Sequence, residues 1–146
     1  YGPGDNFHKD NSHVPAALLD RFHNAKVLNS KKVEVWGSGK PFREFMHVDD
    51  LADACIFLSK NYSSDEIINV GTGKEISIRD FAYKLKEIVG YKGKLIFNTS
   101  MPDGNPRKLL CTKKINSMGW KAKISLDVGL NQYYRWYKNE YKYLRK

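Results

Sequence analysis

Cysteine is scarce in this sequence of 146 residues, and long apolar runs are missing from it. Two cysteines, Cys55 and Cys111, are too few for a disulfide framework, so we expect reduced thiols, as in a cytoplasmic protein. No apolar run approaches the roughly 20 residues of a membrane span. The polar, turn-forming start predicts no targeting segment, and a first residue other than Met suggests a fragment of a longer protein.

Two glycine turns, GSGK at 37–40 and GTGK at 71–74, lack the residues that nucleotide-binding loops need. A P-loop would require an earlier glycine, where Glu34 and Ile68 stand, and a Ser or Thr after the lysine, where Pro41 and Glu75 stand. A dinucleotide fingerprint would require glycine at positions 42 and 76. The four histidines have no cysteine pair and no H-E-x-x-H spacing, so we expect no metal site.

The positive charge is concentrated in the last part of the chain. Residues 1–106 carry 14 basic and 14 acidic residues, whereas residues 107–146 carry 11 basic and 2 acidic ones. Such an asymmetry is compatible with nucleic acid, with a phosphorylated small molecule or with a solvated surface. Composition alone does not decide among the three.

Helix and strand patterns alternate along the chain. Five helices are predicted from their first residues. Ser12 is expected to cap the first, which reaches about Lys26, and Asp49 or Asp50 to cap the second. Ser77 caps the third, Thr112 caps a short fourth, and Ser125 starts a long fifth helix that reaches about Leu144. Strands are predicted at 33–36, 67–70 and 94–98, with an extended segment at 42–48. The second helix should bury a stripe of Leu51, Ala54, Cys55 and Leu58.

These elements predict an α/β fold in which a small mixed sheet packs on helices. No internal repeat or long linker divides the chain, so residues 1–146 are interpreted as a single domain. Because the strands are few and short, the domain is expected to dock on something larger.

Five segments together resemble GDP-L-fucose synthases, which are extended short-chain dehydrogenases/reductases of the NAD-dependent epimerase/dehydratase family. They are YGPGDNF at 1–7, NSHV at 11–14, VWGSGKPFREFMHVDDLA at 35–52, INVGTG at 68–73 and PDGNPRKLL at 102–110. The first, third and fourth contain patterns that recur across sugar-nucleotide epimerases and dehydratases, and the second and last point to this branch. The resemblance implies the C-terminal substrate domain of such an enzyme, without its Rossmann half.

The resemblance also implies an activity and a cofactor. Enzymes of this branch epimerise C3 and C5 of GDP-4-keto-6-deoxy-D-mannose and then reduce C4 with NADPH. His13 matches their histidine, which moves protons with a cysteine and lies at the cofactor, so it is the catalytic and cofactor-binding candidate. NADP itself would be bound mainly by the missing portion, so the fragment alone is expected to be inactive.

Five further residues are candidates for binding the GDP-sugar: Arg21, Trp36, Arg43, Asp103 and Lys108. Arg43 lies in the mostly apolar stretch 42–48, where a buried guanidinium needs an anion. Arg21 and Lys108 could join it on a diphosphate, and Trp36 could stack on guanine or the sugar. Asp103 could accept from ribose or guanine, or cap its own turn.

Alternative functions remain open at this point. Another nucleotide-sugar epimerase or reductase would use the same fold. A basic module could instead stack nucleic acid on the last helix, with its aromatic and cationic residues between Tyr133 and Arg145. However, Leu126, Leu130 and Tyr133 begin a stripe at helical spacing, which favours packing inward, and we therefore expect no nucleic-acid partner. The resemblance further implies a homodimer.

Overall fold

A computed structural model describes residues 1–9 and 11–144. Helices and strands alternate along this part of the chain, in this order: α1 (Val14–Val27), β1 (Lys32–Trp36), β2 (Phe42–Arg43), α2 (Val48–Asn61), β3 (Ile76–Ser77), α3 (Ile78–Val89), β4 (Lys94–Asn98), β5 (Arg107–Lys108), α4 (Lys113–Ser117) and α5 (Leu126–Glu140). No helix within the described ranges is long and apolar enough to cross a membrane.

The strands form two small sheets rather than one. β1 pairs with β4 in parallel, and β2 lies between antiparallel β3 and parallel β5. The predicted mixed α/β class is therefore confirmed. β1 and β2 thus pair in parallel with β4 and β5, respectively. The segment that joins β1 to β2 therefore lies beside the segment that joins β4 to β5.

The main core lies between α1, α3 and α5. Each helix presents the apolar stripe that its spacing predicts, and Phe22, Leu85 and Tyr137 are fully buried there. α3 shows why the prediction succeeds. Ser77 Oγ accepts from the amide of Asp80 at 3.0 Å, and Gly90 ends the helix with a left-handed φ of 72°.

α5 is fixed on the N-terminal part of the chain by tyrosine hydroxyls one helical turn apart. Tyr133 donates to Asp5 at 2.8 Å, and Tyr137 donates to Asp20 of α1 at 2.6 Å. Burial of both rings raises the pKa values of their hydroxyls, which therefore remain protonated donors. The Tyr137 contact holds α5 against α1, which contains Arg21 and is capped by His13.

Helix α2 differs most from its prediction. Its cap is His47, whose Nδ1 accepts from the amide of Asp49 at 3.2 Å, and neither aspartate serves as the cap residue. Asp50 instead points inward and accepts from the amides of Lys123 and Ile124, at 3.0 and 2.9 Å. Capping by Asp49 or Asp50 was therefore a wrong prediction.

The buried stripe of α2 was also only partly right. Ala54 is buried and Leu58 partly so, but Leu51 and Cys55 are exposed. With Val48 and Ile56 they form an exposed face, here called the α2 face, whose four residues are uncharged. Apolar residues lie around most of the helix, so their spacing does not reveal which side the core covers.

Other predicted elements also differ from the structure. Residues 67–70 form no strand, because no described strand pairs with them and Ile67 is 89% exposed. The extended segment 42–48 contains a strand at Phe42–Arg43 only. α1 is capped at His13 rather than Ser12, and Pro15 lies in its first turn as predicted.

Candidate functional site

Four of the five substrate-binding candidates lie in or beside two neighbouring connections, and the fifth, Arg21, lies in α1. The first connection, residues 37–41, joins β1 to β2, and the second connection, residues 99–106, joins β4 to β5. The amide of Gly37 donates to Asn98 O at 2.9 Å, and that of Phe42 donates to Pro106 O at 2.9 Å. The two connections are therefore hydrogen-bonded at both ends.

Trp36 and Arg21 form a stacked pair where the first connection begins. The guanidinium carbon of Arg21 lies 4.8 Å from the centroid of the Trp36 ring, and Arg21 Nη1 donates to Glu34 O at 3.4 Å. The ring is 55% exposed, so it is a surface residue and not a core one. A cavity of about 140 Å³ beside the pair is lined by both residues and by Ser12. This arrangement offers a flat ring and a cation to a ligand.

Arg43 and Lys108 lie opposite each other in the parallel pairing of β2 with β5. Arg43 is half-buried and donates to Phe42 O at 2.7 Å. Among the described residues neither cation forms an ion pair, whereas Arg107, next to Lys108, binds Glu75 at 2.7 Å. Like charges placed opposite each other in a sheet repel. The pair is therefore a candidate site for an anion.

The Asp103 carboxylate binds the first connection instead of capping its own turn. Ser38 donates to it twice, from its amide at 2.6 Å and from its hydroxyl at 2.7 Å. The Ser38 hydroxyl and amide hold the pKa of this carboxyl below its usual value. Asp103 is thus an ionised acceptor between the two connections.

His13 occupies the cap position of α1 with extended backbone, φ −76° and ψ 164°. Its side chain makes no capping hydrogen bond and is exposed to solvent. The neighbouring Ser12 lines the cavity beside Arg21 and Trp36. The imidazole is therefore not used by the helix cap.

Glu44 is a site-supporting residue that sequence reasoning missed. Its Oε1 accepts from the amide of Gly73 at 2.6 Å and from Thr72 Oγ1 at 3.1 Å, and its Oε2 accepts from the amide of Leu110 at 3.0 Å. Gly71 is required because a Cβ there would meet Glu44 Oε1 at 2.5 Å. Two features of the sequence could have indicated this role. Glu44 lies next to Arg43 in the recurrent segment 35–52, and the glycine turn that it binds lies in the recurrent segment 68–73.

The glycine turns do not fit the pyrophosphate of a dinucleotide cofactor. Asp103 occupies the amide of Ser38 in the first turn, and Glu44 occupies the amide of Gly73 in the second. A carboxylate on these amides repels a phosphate. No group of three potential metal ligands occurs in the part of the chain that the structure describes.

Comparison with known proteins agrees with this geometry. The model of the NAD dependent epimerase/dehydratase family matches residues 1–71. Residues 1–71 therefore belong to this family. It is 56% identical over 137 residues to GDP-L-fucose synthase 1 of Arabidopsis thaliana, which covers 94% of the chain and 42% of that protein. The chain thus spans less than half the length of the curated relatives it matches.

Solved structures of the family share the fold. A GDP-L-fucose synthetase from Naegleria fowleri bound to NADP superposes with a TM-score of 0.93 and 28% identity, over 100% of this chain and 46% of that one. A GDP-6-OMe-4-keto-L-xylo-heptose reductase from C. jejuni gives a TM-score of 0.90 and 38% identity, over 96% and 51%. The epimerase/dehydratase fold of the chain is therefore confirmed.

Proposed function

We propose that residues 1–146 form one substrate-binding domain of an NADP-dependent epimerase and reductase that converts GDP-4-keto-6-deoxy-D-mannose to GDP-L-fucose. Three features carry this proposal: Arg43 and Lys108 lie opposite each other, neither forms an ion pair among the described residues, and the ring of Trp36 at the start of the first connection is exposed. A diphosphate suits two cations on neighbouring strands, and an exposed indole suits guanine or a sugar. Arg21 adds a further donor beside that ring.

His13 has the acid/base role in this proposal. The 4-keto group acidifies the protons on C3 and C5, and an imidazole near neutral pH removes or returns such a proton. The exposed side chain, free of the helix cap, supports the role. NADPH supplies the hydride for C4. It is bound mainly outside this chain, because neither glycine turn suits its pyrophosphate, and His13 contributes a contact to it from this chain.

The α2 face supports the view that more of the enzyme packs against this domain. Leu51, Cys55 and Ile56 expose neutral, mostly apolar surface on one side of the helix. Exposed apolar patches of this kind mark interfaces. We propose that the complete enzyme is a cytoplasmic homodimer and that this chain alone has no activity.

Calorimetry with GDP, GMP, UDP and inorganic phosphate tests the proposal. GDP should bind more tightly than the other three. Because a hydrogen bond to a charged group contributes about 1.5–3 kcal/mol, Arg43→Ala should weaken GDP binding by roughly 10- to 150-fold. Lys108→Ala, at an exposed position, should weaken it by about twofold to fivefold.

Arg107→Ala is the matched control, because Arg107 lies in the same strand but is paired with Glu75. Its GDP affinity should stay within about twofold of the unaltered chain. Binding of GDP no tighter than phosphate, or an equal loss in Arg107→Ala and Lys108→Ala, would refute the proposal.

A second candidate is a reductase acting on another GDP-sugar. It is favoured by the 38% identity to the GDP-heptose reductase from C. jejuni. Both candidates predict GDP binding, so they are separated by the product that a complete enzyme carrying this domain forms from GDP-4-keto-6-deoxy-D-mannose. A nucleic-acid module loses support because Tyr133, Tyr134 and Tyr137 are buried; Arg145 lies outside the described residues.

A further inference from the structure

Lysines gather at the end of the β1–β4 sheet that lies away from the proposed substrate site. Lys32 and Lys94 are register partners at the start of the two parallel strands, and the amide of Lys94 donates to Lys31 O at 2.9 Å. All three residues are exposed. Trp36 ends strand β1, so roughly 13 Å of strand separates it from Lys32. This basic end of the sheet is therefore distinct from the substrate site.

The C-terminal ends of α1 and α3 add three more lysines. Lys26 Nζ donates to the carbonyl of Val89 at 2.7 Å, which joins the two helix ends. Lys86 and Lys92 line one open cavity of about 550 Å³ together with Gly90, and a Cβ added to Gly90 would lie 3.4 Å from that same Nζ. Lys92 also lies only two residues before the start of β4. The six residues, here called the lysine cluster, are Lys26, Lys31, Lys32, Lys86, Lys92 and Lys94.

The lysine cluster has little opposing charge. None of its members forms an ion pair with a carboxylate among the residues that the structure describes. Asp80 and Glu87 also line the cavity, but the Asp80 carboxylate accepts from Ser77 Oγ at 2.6 Å. Lys32 and Lys94 lie opposite each other, where like charges repel. Cations held together in this way attract an anionic surface.

An exposed apolar pair lies next to the lysine cluster. Val27 ends α1 and Leu28 follows as its C-cap, and the two residues are 63% and 74% exposed. The chain turns directly after them at Asn29, which has a left-handed φ of 51°. The pair is therefore presented at the tip of a tight turn, with Lys26 before it and Lys31 after it in the sequence.

The chemistry of this end of the domain favours an anionic lipid surface over other polyanions. The cations of the cluster are all lysines, which act as point charges and lack the planar fork with which arginine binds single phosphates. The exposed pair is aliphatic, so it offers no ring on which a base could stack. Aliphatic side chains flanked by lysines suit the boundary between lipid headgroups and acyl chains, where the lysines meet anionic headgroups.

We propose that the lysine cluster and the tip formed by Val27 and Leu28 dock the domain on an anionic membrane surface, without spanning it. The proposal does not rest on GDP binding, because the surface and the substrate candidates lie at opposite ends of β1. A domain docked in this way keeps the substrate end of the sheet turned away from the lipid and open to solvent.

Sedimentation with vesicles tests this surface. The unaltered chain should bind vesicles of phosphatidylcholine with roughly one-third phosphatidylserine far more tightly than pure phosphatidylcholine. The double variant Lys32→Gln/Lys94→Gln should bind about 10- to 30-fold more weakly, since each lysine near an anionic surface contributes about fivefold. Val27→Ser/Leu28→Ser should bind roughly tenfold more weakly, because less apolar surface enters the lipid.

Matched variants separate this surface from net charge. Lys113→Gln/Lys121→Gln removes two charges from exposed lysines on and after α4, and it should change vesicle binding by less than about twofold, because charges that do not face the membrane are screened by salt. Lys32→Arg/Lys94→Arg keeps both charges and should bind vesicles as the unaltered chain does. Circular dichroism should show the same fold in every variant.

Each outcome decides for or against the docking surface. No binding to anionic vesicles overturns the proposal, as does an equal loss in the two double glutamine variants or unchanged binding by Val27→Ser/Leu28→Ser. Tighter binding to a single-stranded oligonucleotide than to vesicles, lost in Lys32→Gln/Lys94→Gln, would assign the cluster to nucleic acid instead. GDP calorimetry judges the proposed function separately, and Lys32→Gln/Lys94→Gln should leave the GDP affinity within about twofold.

Discussion

Tyr137 offers a sharp test of how α5 is attached to α1. Its ring is fully buried, and its hydroxyl donates to Asp20 at 2.6 Å. Tyr137→Phe removes this hydroxyl and leaves the ring, so packing against Phe7, 5.0 Å away between centroids, is kept. Any loss of stability then reports the hydrogen bond rather than a cavity.

The magnitude follows from the charge on the acceptor. A hydrogen bond to a charged group contributes about 1.5–3 kcal/mol to the free energy of unfolding. For a chain of this size, 1 kcal/mol corresponds to a change of about 2–4 °C in melting temperature. Tyr137→Phe should therefore melt about 3–12 °C below the unaltered chain.

Thermal unfolding followed by circular dichroism measures this difference. Tyr143→Phe is the control, because Tyr143 is 81% exposed and its variant should melt within about 1 °C of the unaltered chain. Equal melting temperatures for Tyr137→Phe and the unaltered chain would refute the claim that this hydroxyl stabilises the fold. A loss of the same size in Tyr143→Phe would show that the assay reports something else.

Two further predictions concern buried or half-buried groups. Burial lowers the pKa of His47 in the folded chain, whereas in the unfolded chain this pKa has its usual value of about 6.5. Protonation of His47 therefore favours unfolding. The free energy of unfolding should fall as the pH drops below about 6.5, by at most about 1.4 kcal/mol per pH unit. Denaturant unfolding at several pH values between 5.5 and 7.5 checks this, and His47→Asn, which can still cap α2, should flatten the slope; equal slopes would contradict it. Glu44→Gln should cost about 1–3 kcal/mol in the same assay, because one carboxylate holds Gly73 and Leu110, whereas exposed Glu87→Gln should change little; equal effects would contradict it.

Local signals were sufficient where one element contains both its cap and its apolar stripe. α3 is the clearest case, since Ser77, the buried Leu85 and the glycine that ends the helix all lie within its own short segment. β4 was predicted at Lys94–Asn98, the bounds that the structure gives. In these elements the sequence-local free energy and the tertiary packing favour the same conformation.

Other features depend on contacts between distant residues, which periodicity does not contain. The α2 face was predicted to be partly buried, because nothing in its spacing tells which neighbour covers it. Asp103 was singled out from its turn, but its partner Ser38 lies 65 residues away. The opposition of Arg43 and Lys108 depends on a pairing of two-residue strands, and such short strands have no pattern of their own.

The glycine turns show how one local motif can serve opposite purposes. In a phosphate-binding loop the exposed amides of a glycine turn hold an external anion. Here the corresponding amides hold carboxylates of the chain itself, Asp103 on one turn and Glu44 on the other. The two charged residues of the motif R-E-F therefore have different roles. Glu44 binds the turn at 71–73, whereas the neighbouring Arg43 has no carboxylate partner among the described residues. In the proposed function, an anion bound at Arg43 comes from outside these residues, as a diphosphate would.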